Sequence, residues 1–412
     1  MIVVAFVISR LFIVLGSFIA QRTVPYLGFF PYKELLTEFG LPSWLTAFAN
    51  FDGIHYLQIA KNGYSQWEQA FFPLYPLLIR AVSFIVPNYF IAAFIISNIS
   101  FGVGLFFFKK LLKLWGIKTS WPIIFLLSFP TAFFFSAIYT EGLFFMLFVL
   151  SLYFLQKKNY WLAGLCAALS SATRLIGFFL IIPFFFHFLA ECNLLFKRFA
   201  LHVSRYTLLV LSPLLGLLSY MIFLWTTTGD PLFFFNSQPV FGANRSTHLI
   251  LLPQVYYRYL KILFTASHDF QWYLSLTEMG IFSLVFVIVI LSLTKDLINI
   301  RLSSFWQSPP GRGAPRIKTG CMDSGQARVT EINLKHAQYE RIGLGLFSLA
   351  NIILPTLTGT FSSIPRYALF SLSFFLYLSQ IKSRGVKIGI AVAFISLQII
   401  LLSLFIQGYF VG

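Results

Sequence analysis

Apolar residues along this chain come in long unbroken runs, and polar residues collect in the intervals between them. A helix needs about 20 such residues to cross ~30 Å of hydrocarbon, slightly fewer where the bilayer thins. By that measure the pattern predicts crossings at 2–20, 90–108, 121–137, 141–155, 160–173, 175–190, 206–227, 276–294, 342–357, 368–381 and 387–407, four of them short. No strand-like alternation appears. The predicted fold is an all-α polytopic membrane protein, a bundle of about 11 transmembrane helices. The run at 71–87 is apolar enough to span. It contains Pro73, Pro76 and Arg80, however, and counting it would put Lys109, Lys110, Lys113 and Lys118 on the outer face, so it is read as a helix lying in the outer interface.

Composition narrows the class. Only 10% of residues are charged and 58% are apolar or aromatic, whereas soluble domains carry roughly 25% charge. A cytosolic or secreted enzyme is excluded. The net charge of +17 does not imply nucleic acid, because the cations lie between apolar runs instead of forming a basic face. Twenty of the 30 Lys and Arg fall in 109–120, 156–159, 191–205, 295–341 and 382–387, which places these connections and the amino terminus inside. Met1-Ile2-Val3-Val4 lacks the charged flank of a signal peptide, so the first run is kept as a span. Large outer loops follow at 21–89 and 228–275. The Gly-, Pro-, Ser- and cation-rich stretch 301–340 is expected to be a disordered cytoplasmic linker. Cys166, Cys192 and Cys321 imply neither a disulfide framework nor a zinc site, and no fixed-period repeat is present.

Some polar residues need an explanation. In FDGIHYLQIAKNGY (51–64), Asp52, His55 and Tyr56 share one face of a short helix. Asp52 reads either as a general base beside an imidazole or as a helix cap. Asp52 with His55 is a thin basis for a metal site, so no metal ligands are assigned, although a divalent cation stays open. Glu141 puts a carboxylate at membrane depth, and Arg174 interrupts an apolar stretch at the outer end of two half-helices. Asp230 opens GDPLFFFNSQ (229–238), which ends at Gln238. Arg366 and Tyr367 close SSIPRYALF (362–370). His187, His202, His248, His268 and His336 show no ligand spacing and read as structural. Walker and GxGxxG loops are absent.

These stretches, with FFPLYPLLIR (71–80), FPTAFFFSAIYTEGLFF (129–145), SATRLIG (171–177) and PRYALF (365–370), resemble in order and membrane side the PIG-V family. Those are mannosyltransferases of the GT-C class of membrane glycosyltransferases, which in eukaryotes add the second mannose of the GPI anchor. Arg10 inside the first span is similar to the family as well. Two departures stand out. Phe51-Asp52 replaces the family's usual Trp-Asp, and Gln238 leads into Pro239-Val240-Phe241 where the family has a Trp. The resemblance implies a GT-C-type bundle and a polyprenyl- or dolichyl-phosphate sugar donor. The acceptor hydroxyl would belong to a GPI-precursor-like glycolipid or another glycan on the extracytoplasmic leaflet. It further implies Asp52 as base and Arg174 and Arg366 as phosphate partners. His55, Tyr56, Glu141, Asp230, Gln238 and Tyr367 would support or contact the acceptor. Membrane lipids are the other expected partner. A prokaryotic plasma membrane is favoured over the ER, where the Asn244-Arg245-Ser246 sequon would carry glycan. Two other classes are weighed: a lipid-linked-sugar transporter or flippase, and a non-catalytic membrane subunit.

Overall fold

The computed structural model describes residues 2–27, 30, 32–194, 199–241, 245–305 and 324–411, and among these it is helical throughout, without strands. Five helices are long and apolar enough to cross a membrane: Ile2–Thr23, Tyr89–Leu114, Tyr206–Thr228, Phe270–Ile298 and Arg384–Ile406. The chain is thus a helical membrane protein. In chain order the principal helices are α1 (Ile2–Thr23), α2 (Asp52–Asn62), α3 (Leu74–Ser83), α4 (Tyr89–Leu114), α5 (Trp121–Ser128), α6 (Glu141–Gln156) and α7 (Tyr160–Thr173). They continue with α8 (Ile181–Leu194), α9 (Phe199–Thr228), α10 (Leu252–Thr265), α11 (Phe270–Phe305), α12 (Ser324–Thr356), α13 (Leu372–Ser379) and α14 (Arg384–Ile406).

α6 packs between α4 and α7, α7 against α9, and α12 between α8 and α11, while α14 lies along α1 and α5. Their apolar residues point in both directions. Phe101, Phe125, Phe144, Phe347 and Phe374 are buried in the shared core, whereas Val3, Leu11, Leu208, Leu215, Val392 and Ile400 face outward from α1, α9 and α14. Outward apolar faces on long helices with internally satisfied backbones suit lipid, not water. Arg10 on α1 is held inside, donating to Ser136 and, at 3.4 Å, to Asn98.

The predicted crossings are not equivalent. The run at 121–137 ends its helix at Ser128, because Pro130 holds Phe129 extended (ψ 142°), and continues as a 3-10 turn, Ala132–Phe135. The run at 175–190 opens as a 3-10 segment, Leu175–Leu180, before α8. The run at 368–381 is split between Ala368–Phe370 and α13. These shorter pieces all begin beside the same region of the molecule, where their ends converge. The 74–83 segment is a 10-residue helix, too short to cross, with Leu77, Phe84 and Ile85 exposed.

One expectation changes. Within 301–340, α11 runs on to Phe305 and α12 begins at Ser324, while 306–323 lies outside the described residues. The stretch 326–340 contains no Gly or Pro and is rich in Gln, Ala, Arg, Glu, Leu and Lys, which favour helix even when exposed. Part of the stretch expected as a linker is therefore helical, while its Pro-containing segment, with most of its Gly, lies within 306–323. Asn244 also lies outside the described residues.

Candidate active site

Four charged side chains from four distant segments meet where the broken elements converge. Asp52 opens α2, Glu141 opens α6, Arg174 follows the last residue of α7, and Arg366 sits in the turn Ile364–Tyr367. Arg366 donates through Nη1 to Asp52 Oδ2 at 2.7 Å, and its Nε lies 3.3 Å from Glu141 Oε1. Arg174 donates through Nη1 to the same Glu141 oxygen and to Thr140 Oγ1 at 3.2 Å. Glu141 is fully buried, so its charge is tolerable only because two guanidinium groups share it. Its second oxygen is buried without a hydrogen-bond donor among the described residues. Aromatic faces complete the setting: Tyr139 and Phe134 flank Arg366, and Tyr367 and Phe370 flank Arg174.

The backbone is strained at both halves of the Asp52–Arg366 pair. Phe51, directly before Asp52, has φ +59°, and Ser363, three residues before Arg366, has φ +67°. Neither is glycine, and such conformations persist only where surrounding packing imposes them. Phe51 is wedged among Phe30, Phe405 and Phe410. The loop that carries Ser363 is braced from α10 and α11. Tyr259 OH donates to Glu278 at 2.7 Å and accepts from the Phe361 N–H, and Arg258 donates to the Gly359 carbonyl.

Burial by itself would raise the Asp52 carboxyl. The charge and hydrogen bond of Arg366, with smaller contributions from Arg245 and His55, outweigh burial and hold it below the ordinary carboxylate value. Burial drives the Tyr56 hydroxyl upward, with Asp52 adding to the effect, so Tyr56 is a neutral phenol.

Asp52, Tyr56, Glu141, Arg174, Gln238, Arg366 and Tyr367 all line one cavity of about 490 Å³. Seven of the nine predicted residues are thereby brought together. The other two are not. His55, expected to sit beside Asp52, directs Nδ1 to Glu68 Oε1 at 3.1 Å and stacks on Phe71, because residue 55 lies a turn along α2 and faces the 65–71 loop. Asp230 caps its own turn, accepting from the Leu232 N–H and from Asn236. Its turn reading holds.

Sequence reasoning missed Arg245, which also lines the cavity and bonds Gln238 Oε1 at 2.9 Å and Ser363 Oγ at 3.3 Å. It missed His248 in the lining too. Both were legible only as loop residues, since nothing in 242–249 forms a periodic pattern. The cavity therefore carries three arginines against two carboxylates, a surplus of one positive charge with His neutral. A second, apolar cavity of about 680 Å³ is walled by Ile181, Ile182, Phe185, Phe186, Leu346 and Leu349 among others, and it shares Leu354 and Leu357 with the first. Compared with protein-family models, with curated proteins and with solved structures, the chain matches none.

Proposed function

We propose, on the motif resemblance, that this protein is a GT-C-type glycosyltransferase with about 11 crossings that transfers mannose from a polyprenyl- or dolichyl-phosphate donor to an acceptor hydroxyl at the extracytoplasmic face. The observation that carries the reading is the polar cavity with surplus positive charge, adjoined by an apolar groove that shares Leu354 and Leu357 in its wall. An amphiphile with an anionic head and a long hydrocarbon tail fits that pair of chambers. A soluble nucleotide sugar leaves the groove without an occupant.

The arginines suit a phosphate because guanidinium makes charge-assisted, often paired bonds to its oxygens. When a donor phosphate takes Arg366, Asp52 loses the partner that depresses its carboxyl and becomes a better proton acceptor. Asp52 then removes the acceptor hydroxyl proton as the oxygen attacks the anomeric carbon. The bond from that carbon to the phosphate oxygen breaks, and Arg174, Arg366 and Arg245 stabilise the charge that grows on the departing phosphate. Glu141 positions the two arginines from below, and Tyr56 and Gln238 offer hydrogen-bond donors to sugar hydroxyls.

The test is a reconstituted assay with radiolabelled polyprenyl-phosphate mannose, comparing wild type with Asp52→Asn. Removal of a general base is expected to lower transfer about 10²–10⁴-fold while donor binding persists. Full turnover by the variant would exclude Asp52 as the base. Donor movement across the bilayer without transfer would indicate a flippase.

A further inference from the structure

A second cluster of ionisable groups lies at the other end of α8 and α12 and is independent of the transferase reading. His187 and Glu191 stand one turn apart on α8, and His336 and Glu340 one turn apart on α12, so each pair shares a helix face. The packing of α8 on α12 brings the two pairs together. His187 is 1% exposed and Glu191 6%.

The hydrogen bonds sort the nitrogens. Glu340 Oε1 lies 2.9 Å from His187 Nδ1 and 3.4 Å from His336 Nδ1, and it also accepts from Gln156 Nε2. The Glu340 carboxylate favours the Nδ1–H tautomer of His187 and leaves a lone pair on its Nε2, whereas His336 stands between two carboxylates, Glu340 at Nδ1 and Glu191 at Nε2, each at 3.4 Å. Both Nε2 atoms are buried and have no hydrogen-bond partner among the described residues. His336 Nε2 stands 3.4 Å from Glu191 Oε1. A cation or a proton between His336 Nε2 and Glu191 Oε1 would satisfy both atoms.

The spacing suits a metal. One ligand atom each from His187, Glu191 and His336 lie within 4.8 Å of one another. Ligands at ~2.0–2.1 Å from a tetrahedral zinc ion stand about 3.4 Å apart, the length of the His336–Glu191 edge, and the His187 ligand atom stands within 4.8 Å of both. A ligating imidazole normally donates its other ring N–H to a carboxylate, the place Glu340 occupies.

We propose that His187 Nε2, His336 Nε2 and the Glu191 carboxylate bind one Zn²⁺, with water as fourth ligand and Glu340 as the positioning carboxylate. Lys158, 3.0 Å from Glu191 and 66% exposed, swings to solvent when the cation takes that oxygen. The ion pins α8 to α12, the two helices whose other ends wall the apolar groove.

Full-length protein in detergent is stripped with chelator and titrated with Co²⁺ as a spectroscopic substitute for Zn²⁺, followed by metal analysis after Zn²⁺ loading. One equivalent per chain with the visible absorption of tetrahedral Co²⁺ is expected, displaced by Zn²⁺. His187→Ala and His336→Ala lose the absorption, Glu340→Gln keeps it with affinity 10–100-fold weaker, and Lys158→Ala binds at least as tightly as wild type. Stripped wild type that takes up no Co²⁺ overturns the proposal and leaves a protonated histidine as the occupant. Should the histidine variants fail to fold, unchanged affinity in Glu340→Gln overturns it equally.

Discussion

Arg366 is the residue on which the polar cavity turns, because it touches both carboxylates and is itself buried. In Arg366→Gln, Glu141 keeps Arg174, but Asp52 loses the cation that is hydrogen-bonded to it. Breaking a buried pair costs up to about 3–5 kcal/mol, and the partial exposure of Asp52 puts this case toward the lower end. The pH dependence has a definite sign. A carboxyl held below its unfolded pKa of about 3.9 contributes stability that is present above that value and is lost as pH falls through the folded pKa. Without Arg366 that folded pKa rises, so acid unfolding of the variant in detergent is expected to begin at higher pH. An unchanged acid midpoint would mean the pair contributes nothing to stability. Glu141 and Arg174 were legible in the sequence as charges that an apolar surrounding makes expensive, and Asp52 and Arg366 as polar residues of loop motifs. Their pairing was not, since 314 residues separate Asp52 from Arg366.

At the level of elements, close helix packing sets where the cavity lies. A Cβ on Gly142 would meet the Ser97 carbonyl oxygen at 2.3 Å, so α6 rests directly on α4 one residue after Glu141. Gly142→Ala must push these helices apart and shift the buried carboxylate. The expected result is a loss of about 1–3 kcal/mol from overpacking, seen as a lower Tm, together with reduced transfer. Gly389 on α14 has open space around its Cβ position, and Gly389→Ala is expected to leave Tm level or raised. Equal destabilisation by both would remove the packing argument. Hydropathy found these apolar stretches but could not separate continuous helices from broken ones, because burial makes the two equally apolar. Pro130, and Arg174 between its two half-helices, were the local signs of a break.

For the whole molecule, the site requires Asp52 and Arg366 on the same side of the membrane, away from the cation-rich connections. In a cysteine-free background, Gln66→Cys lies in the 65–71 loop, whose Ala70 and Phe71 line the cavity, and Lys382→Cys on a cation-rich connection, and both positions are exposed. An impermeant maleimide is expected to label Gln66→Cys in intact cells and Lys382→Cys only after permeabilisation. Labelling of both from one side would contradict the orientation. Composition and run length by themselves determined the membrane class, the helical fold and the orientation expected from its cations, because transfer to hydrocarbon is decided residue by residue and summed along a segment. The polar cavity, the wall it shares with the apolar groove, Arg245 in the lining and the paired His/Glu turns of α8 and α12 were decided only by tertiary structure. Those features depend on directions and distances between segments far apart in the chain, which no local pattern of residues encodes.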